Sequence, residues 1–366
     1  MKVLCDREKV REGLAIVNNV IPARSTKPVL ENVKFVATDS ALELIGTDLE
    51  VSVRYVIDDV KVADPGVTVI PARVALDFIR DLTSETVTLA AEDGACTITG
   101  GADKCELVTM DADEYPVTPK FDEKGTMALQ AGTFTRLVSQ TAFAAAREAG
   151  RYAMHGVLLT VDDGSLQMVA TDGRRLALSN AAVEEAPEAV SPSIVPTKGI
   201  QLFCRVIDDP LARIQLSFGE NQIGMKTQHA EIFARLIDGE YPKYSEVIPK
   251  ESKHVVEANG ELLGRKLRLV ANVTGDEARA VRLKVDKGEM ELYGQSVGRG
   301  EAQAHMEIDY NGGAAQIAFN PDYVLDGIKN AEREPVRLEF NDKSSPGKFS
   351  LGENYIYIVM PITVDA

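Results

Sequence analysis

The chain lacks the short motifs that mark the common enzyme classes. It has no Gly-rich phosphate loop, no G-x-S-x-G turn and no H-E-x-x-H helix. Its four histidines, His155, His229, His254 and His305, are scattered and have no cysteine at ligand spacing. That excludes a recognisable zinc site, and no metal or cofactor is expected. The four cysteines, Cys5, Cys96, Cys105 and Cys204, form no C-x-x-C pair and read as reduced, buried thiols. No run approaches the roughly 18 apolar residues that a membrane-spanning helix needs. Charges at Lys2, Asp6, Arg7 and Glu8 interrupt any signal-peptide core, so a cytoplasmic location is expected. Basic residues are also in deficit: 40 Lys and Arg against 56 Asp and Glu leave a net charge of −16. On its face this argues against a polyanionic partner.

What the chain does have is ordinary globular composition, with 45% hydrophobic and 26% charged residues. Its 366 residues allow two to four domains at about 100–200 residues each. Internal repetition narrows this. Gly46-Thr47-Asp48-Leu49 returns 124 residues later as Ala170-Thr171-Asp172-Gly173. Val69-Ile70-Pro71-Ala72 returns as Ile194-Val195-Pro196-Thr197 and again as Ala318-Phe319-Asn320-Pro321, with the prolines 125 residues apart each time. Asp113-Glu114-Tyr115-Pro116 is echoed 126 residues on by Gly239-Glu240-Tyr241-Pro242. Landmarks with one common spacing imply three homologous domains, placed at 1–120, 121–250 and 251–366. The period is far above the 20–50 residues of a solenoid, so each repeat can bury its own core.

Within a repeat the elements come in two rounds. Val10, Leu14 and Val17 have helical spacing between Glu8 and Val20. Strand-like runs follow at 33–36, 42–45 and 51–55, and another at 67–70. Pro71 suits the first turn of a second helix, expected to bury Val74, Phe78 and Leu82. Strands at 87–89, 96–98 and 105–108 close the second round. Each domain is therefore a twice-repeated β-α-β-β-β unit. The fold class is α+β, mostly antiparallel sheet with two helices per domain covering one face.

The charge separates by element. Six helices are expected at 7–20, 72–81, 132–147, 197–207, 259–271 and 320–331. They hold 13 basic and 7 acidic residues, a net +6, which leaves −22 on strands and loops. The third and fourth carry Arg136, Arg147, Lys198 and Arg205 with no acid at all. A solvated helix face ordinarily mixes both signs. Six such helices in an arc, doubled by a second chain, would enclose about 120 Å of circumference at roughly 10 Å per helix, leaving an opening of about 30 Å. That admits a DNA duplex, met through its phosphates and without base reading.

These tracts together resemble the bacterial beta sliding clamp family, the processivity subunit of the replicative DNA polymerase III holoenzyme. The resemblance runs from Met1 to about Ile362. It is carried by Gly46-Thr47-Asp48-Leu49-Glu50, the run from Val169 to Leu176, Asp238-Gly239-Glu240-Tyr241-Pro242, Phe319 to Leu325 and Tyr357 to Ile362. It implies the DNA clamp fold, with helices lining the inside of a ring and sheets outside. It also implies a head-to-tail homodimer that encircles duplex DNA without sequence preference. The ring tethers the replicative polymerase, the clamp loader and other clamp-binding-motif proteins, with no catalysis and no membrane contact. The family's partner-peptide pocket maps onto Met154, Thr171, Gly173, Arg174, Arg175, Leu176, Pro242, Val247, Asn320, Tyr323, Ile358, Val359, Met360, Pro361 and Ile362. Apolar, adaptable side chains with a few polar orienters suit a peptide groove. DNA contacts are expected from Arg24, Arg73, Arg80, Arg136, Lys198, Arg205 and Lys266. The dimer seam is expected to join Cys105 and Leu107 to Asn272 and Val273. Two positions depart from the family: Thr363 and Glu246 stand where relatives often carry a basic residue, so the pocket rim is expected to be more acidic. The runner-up function is a protein-only scaffold that never touches DNA. Asp48 and Asp172, repeat equivalents, read as turn hydrogen-bonding residues.

Overall fold

The computed structural model describes the chain except for residues 148–151, 188–189, 276–278, 332–334 and 364–366. The β-α-β-β-β order occurs twice in each of three stretches. The first stretch has β1 (Lys2–Asp6), α1 (Arg7–Asn18), β2 (Asn32–Ala37), β3 (Ala41–Thr47) and β4 (Val51–Asp58). A short β5 (Lys61–Asp64) intervenes, then β6 (Gly66–Pro71), α2 (Ala72–Asp81), β7 (Thr86–Glu92), β8 (Ala95–Gly100) and β9 (Asp103–Val108). The second has β10 (Met127–Gln130), α3 (Ala131–Thr141), β11 (Gly156–Asp162), β12 (Ser165–Thr171) and β13 (Arg175–Ala182), followed by β14 (Ser193–Pro196), α4 (Thr197–Arg205), β15 (Arg213–Phe218), β16 (Gln222–Lys226) and β17 (Ala230–Arg235). The third has β18 (His254–Ala258), α5 (Gly260–Ala271), β19 (Val281–Asp286), β20 (Glu289–Ser296) and β21 (Gly300–Glu307), then β22 (Ala315–Phe319), α6 (Pro321–Ile328), β23 (Val336–Phe340), β24 (Gly347–Ser350) and β25 (Tyr355–Val359).

The chain divides into two compact units. One holds 1–134, 184–191 and 198–236; the other holds 135–183, 192–197 and 237–366. In the first, a five-stranded sheet runs β5-β1-β7-β8-β9 and an eight-stranded sheet runs β10-β15-β16-β17-β4-β3-β2-β6. In the second, an eight-stranded sheet runs β14-β11-β12-β13-β25-β24-β23-β18 and a four-stranded sheet runs β21-β20-β19-β22. All pairings are antiparallel. Each eight-stranded sheet is shared by two repeats: β17 pairs β4 from Ala230↔Tyr55 to Ala234↔Val51, and β13 pairs β25 from Arg175↔Val359 to Ser179↔Tyr355. Repeat boundaries are therefore not where contacts are weakest.

In the first unit, Asp6 caps α1 by accepting from the Lys9 amide at 3.0 Å. Val10, Leu14 and Val17 are buried along one stripe, as their spacing predicts. Gly46 lets α1 approach β3: a Cβ there would lie 2.5 Å from Val17 Cγ1. The phase of α2 differs from the sequence expectation. Ala72, Ala75, Ile79 and Leu82 are buried, Phe78 is half-buried and Val74 is 50% exposed. Two alanines on the inner stripe let α2 sit close to its neighbours, and the larger Val74 is turned outward. The third helix ends at Thr141, short of the expected 147, and passes into a 3-10 turn over Ala142–Ala144. Cys5 and Cys96 are buried, while Cys105 and Cys204 are only half-buried; all four are free thiols.

Candidate functional site

The second unit brings β13 beside β25, and the loop before β13 is built by its own side chains. Thr171 Oγ1 donates to the Arg175 carbonyl at 2.6 Å and accepts from the Gly173 amide at 3.1 Å. Asp172 Oδ1 accepts from the Arg174 and Arg175 amides at 2.9 and 3.0 Å. Such short polar side chains satisfy turn amides that no strand partner can reach. Gly173 has φ 85°, a left-handed conformation that glycine adopts without cost.

Arg175 closes this loop and ties it to α6. Its Nε donates to Asp172 Oδ2 at 3.0 Å, Nη1 to Asp326 Oδ2 at 2.6 Å and Nη2 to the Phe143 carbonyl at 3.1 Å. The guanidinium lies 4.6 Å from the Tyr323 ring centroid and 5.5 Å from that of Phe143. Burial works against the charge, but Tyr357, Asp326 and Asp172 outweigh it and push the guanidinium pKa upward. At 9% exposure, with Nε, Nη1 and Nη2 each engaged, Arg175 pins the loop from inside the protein. Helix α6 is set in turn by Asn320, whose side chain accepts from the Asp322 amide at 2.9 Å, with Pro321 in the first turn. Gly327 lets it rest on the Tyr357 ring, where a Cβ would come within 2.3 Å, and Tyr357 donates to the Tyr323 carbonyl at 2.8 Å.

Below the loop lies an apolar cluster of Leu158, Val169, Leu176, Leu178, Ile194 and Ile358. Tyr241, Tyr244 and Ile248 cover part of it. Tyr241 donates to the Val169 carbonyl at 3.3 Å, and burial pushes its hydroxyl pKa up; Tyr244 donates to Gln167 at 2.7 Å. The chain leaves β25 pinned at two points, Met360 N to the Arg174 carbonyl and Ile362 N to the Ala318 carbonyl, both at 2.8 Å.

All fifteen residues expected at the partner pocket fall in this one unit. They differ in what they can offer. Met154, Leu176, Ile358 and Val359 are buried and lie beneath the surface of the site. Thr171, Arg175 and Asn320 are engaged in the hydrogen bonds above. Gly173 and Arg174 are exposed, as are Val247 (41%) and Met360 (37%). Pro242, Tyr323, Pro361 and Ile362 are half-buried. Sequence reasoning missed Asp326, Phe143, Tyr241, Tyr244 and Ile248. Tyr241 had a signal, its repeat partner Tyr115; Asp326 had none, because only the pairing of β13 with β25 brings α6 to Arg175. Glu246 and Thr363 are both exposed.

The residues expected at DNA are unequal too. Arg24 and Arg73 are exposed and Lys266 is half-buried, and none makes an ion pair among the described residues. Arg80 is held by Asp77 at 2.8 Å and Asp81 at 3.1 Å. Lys198 pairs with Asp48, Arg205 donates to Asn19 at 3.1 Å, and Arg136 donates to Gln140 at 3.3 Å. Recounted on the observed helices, 11 basic and 7 acidic residues leave +4, so the contrast with −20 elsewhere persists. At the expected seam, Cys105 is half-buried and Leu107 is only 8% exposed within its own unit; Val108 beside it is 79% exposed. Asn272 is exposed and Val273 half-buried after α5, and Arg299 ties this turn to the start of β21 by donating to the Thr274 carbonyl at 3.0 Å. No group of three or more potential metal ligands occurs among the described residues. No helix among them is long and apolar enough to cross a membrane.

An α+β fold of antiparallel sheets in three repeats, with sheets shared across repeat boundaries, defines a DNA-clamp architecture. Family models match it piecewise: the N-terminal domain of the DNA polymerase III beta subunit at residues 1–119, its central domain at 128–243 and its C-terminal domain at 245–362. The beta sliding clamp of Pseudomonas putida is 30% identical over 365 residues, covering 99% of this chain and 100% of that one. The crystal structure of the DNA polymerase III subunit beta from Pseudomonas aeruginosa superposes with TM-score 0.95 at 28% identity, covering all of both chains. That of the Bacillus subtilis sliding clamp gives 0.96 at 25%, again over both chains in full. The chain belongs to the bacterial beta sliding clamp family.

Proposed function

We propose that two copies join head to tail into a ring that encloses duplex DNA and tethers the replicative polymerase, the clamp loader and other partners through the pocket on β13, β25 and α6. The chain itself performs no chemistry and acts in the cytoplasm. The observation that carries this reading is the bookkeeping of sheet edges. Within the chain, β4 pairs with β17 and β13 with β25. The strand in the third repeat that corresponds to β4 and β13 is β21. The strand in the first repeat that corresponds to β17 and β25 is β9. Both end their sheets unpaired. Unpaired edges are liabilities that proteins cover, and a second copy would cover both. Two identical heterologous contacts that close on themselves give a ring of two-fold symmetry. Val108 on β9 is the exposed apolar residue of that edge.

The three domains are read as 1–120, 121–250 and 251–366. Phosphate contacts are assigned to Arg24, Arg73, Arg80, Arg136, Lys198, Arg205 and Lys266. Arg24 and Arg73 are the strongest, since both are exposed and neither meets a carboxylate among the described residues. The seam is assigned to Cys105, Leu107, Asn272 and Val273 with Val108. Leu107, buried in its own unit, is a poor probe of it. Val108→Asp should weaken dimers by about 10- to 100-fold by sedimentation, the range of a good interface residue. Val74→Asp, also at an exposed valine but on α2, should leave them intact. Enclosure is tested by loading the protein with a clamp loader and ATP onto nicked circular duplex. Release on linearisation is expected; retention on the linear product would favour adhesion, and absence from the circle would favour the protein-only scaffold.

A further inference from the structure

The first unit carries a copy of the loop that builds the pocket. Thr47 Oγ1 donates to the Val51 carbonyl at 2.9 Å and accepts from the Leu49 amide at 3.0 Å. Asp48 Oδ1 accepts from the Glu50 and Val51 amides at 3.0 and 2.7 Å. These are the bonds of Thr171 and Asp172, atom for atom. Tyr115 donates to the Ile45 carbonyl as Tyr241 does to that of Val169. The Arg235 amide donates to the Glu50 carbonyl at 2.9 Å, as Met360 does to Arg174. The sheet register completes the match: Phe233 faces Ser52 where Ile358 faces Leu176.

A cavity of about 220 Å³ lies at this loop. That is below the roughly 300 Å³ of a pocket for a whole small ligand, and suits a side chain or two of a longer one. Val51, Phe233, Pro116 and Pro119 give it apolar walls. Leu49 stands at its rim, 44% exposed with φ 76°, in the conformation that glycine occupies at Gly173. Strained backbone of this kind clusters at ligand clamps and switch regions. Val117, in the wall after Pro116, is 99% exposed. The rim charges are reassigned relative to the second-unit pocket: Arg235 takes the place of Met360 and Glu50 that of Arg174. Neither Arg235 nor Glu50 makes an ion pair among the described residues.

We propose that this groove is a second docking site, for an extended segment of a partner protein carrying an aliphatic side chain next to a carboxylate. The aliphatic side chain packs between Leu49, Phe233 and Pro116. The carboxylate meets Arg235, and Glu50, its neighbour across the strand pair, disfavours a second acid there. The inference rests on reading the equivalent second-unit loop as a peptide site. It goes beyond that reading by giving the first loop a different charge preference.

Methyl-resolved NMR of the full-length protein tests it, with acetyl-aspartyl-leucine and acetyl-lysyl-leucine N-methylamides as probes. The aspartyl probe should shift the Leu49, Val51 and Val117 methyls and bind about three-fold tighter than the lysyl probe, the scale of one exposed ion pair. Arg235→Glu should invert that order. Unmoved methyls at the solubility limit, or an order that Arg235→Glu leaves unchanged, would overturn the proposal. The Leu176 and Ile362 methyls report the other pocket in the same spectra. Shifts there alone would overturn the groove and keep the pocket; shifts at Leu49 and Val117 alone would support the groove and count against the pocket.

Discussion

The loop at Thr47–Val51 and the loop at Thr171–Arg175 share a backbone and differ in how a cation completes them. In both, one aspartate oxygen is spent on two amides. The second oxygen of Asp172 is met by Arg175, a residue of the same loop, buried and shared with Asp326. That of Asp48 is met by Lys198, 59% exposed on α4. The difference shows what was kept and what was free to change. The amide ladder needs the Thr-Asp pair, whereas the neutralising charge can come from anywhere within reach. Its source decides whether the loop is tied to buried neighbours or to an exposed side chain.

The largest test of that contrast removes each cation. Arg175→Ala strands a shielded Asp172 and loosens Asp326, and should cost roughly 2–4 kcal/mol in urea unfolding, near the low end for a broken buried pair. Lys198→Ala should cost about 0.5–1 kcal/mol: Asp48 is itself shielded, but the lysine that meets it is exposed and water can take its place. Equal losses would erase the distinction between the loops. A middle-sized effect comes from exchanging their left-handed residues. Gly173→Leu should destabilise by about 1–2 kcal/mol, the cost of a side chain in that conformation, and Leu49→Gly should relieve a similar strain less what little burial Leu49 has. Thermal unfolding of both variants would read it, and a destabilised Leu49→Gly protein would mean that Leu49 is packed and not strained. The smallest effect lies at the rim of the second-unit pocket. Peptides with a basic flank should bind there about two- to five-fold tighter than those with an acidic flank, and Glu246→Arg should reverse the order. Equal binding of both flanks would remove Glu246 and Thr363 from any part in selection.

Much of the fold was legible because repetition multiplies weak signals. One Thr-Asp tract is a turn; two at 124 residues, with prolines and Tyr-Pro pairs keeping step, are an architecture. Helix positions followed from apolar spacing, and α1 buries the residues its spacing named. The phase of α2 did not follow, because spacing weighs Val74 above Ala72 and Ala75, while close packing selected the alanines. The strand β5 was missed: Lys61–Asp64 alternates no apolar pattern, since it is an exposed edge. At the site, the loop residues were readable from their repeat. The partners of Arg175 were not, for Asp326 lies 151 residues away and is joined to it only through the sheet.

The sharing of sheets between repeats has a mechanical consequence for the proposed dimer. Two kinds of joint would be sewn by the same backbone ladder, one within each chain and one between chains. A joint within the chain re-forms at the high effective concentration of a tether, near millimolar for a short linker. A joint between copies has no such tether and depends on how many copies are present. A closed hoop built this way has its hinge points graded in advance. Force applied anywhere would be relieved at the two seams where the covalent thread stops, and the chain's own seams would hold their register while that happened.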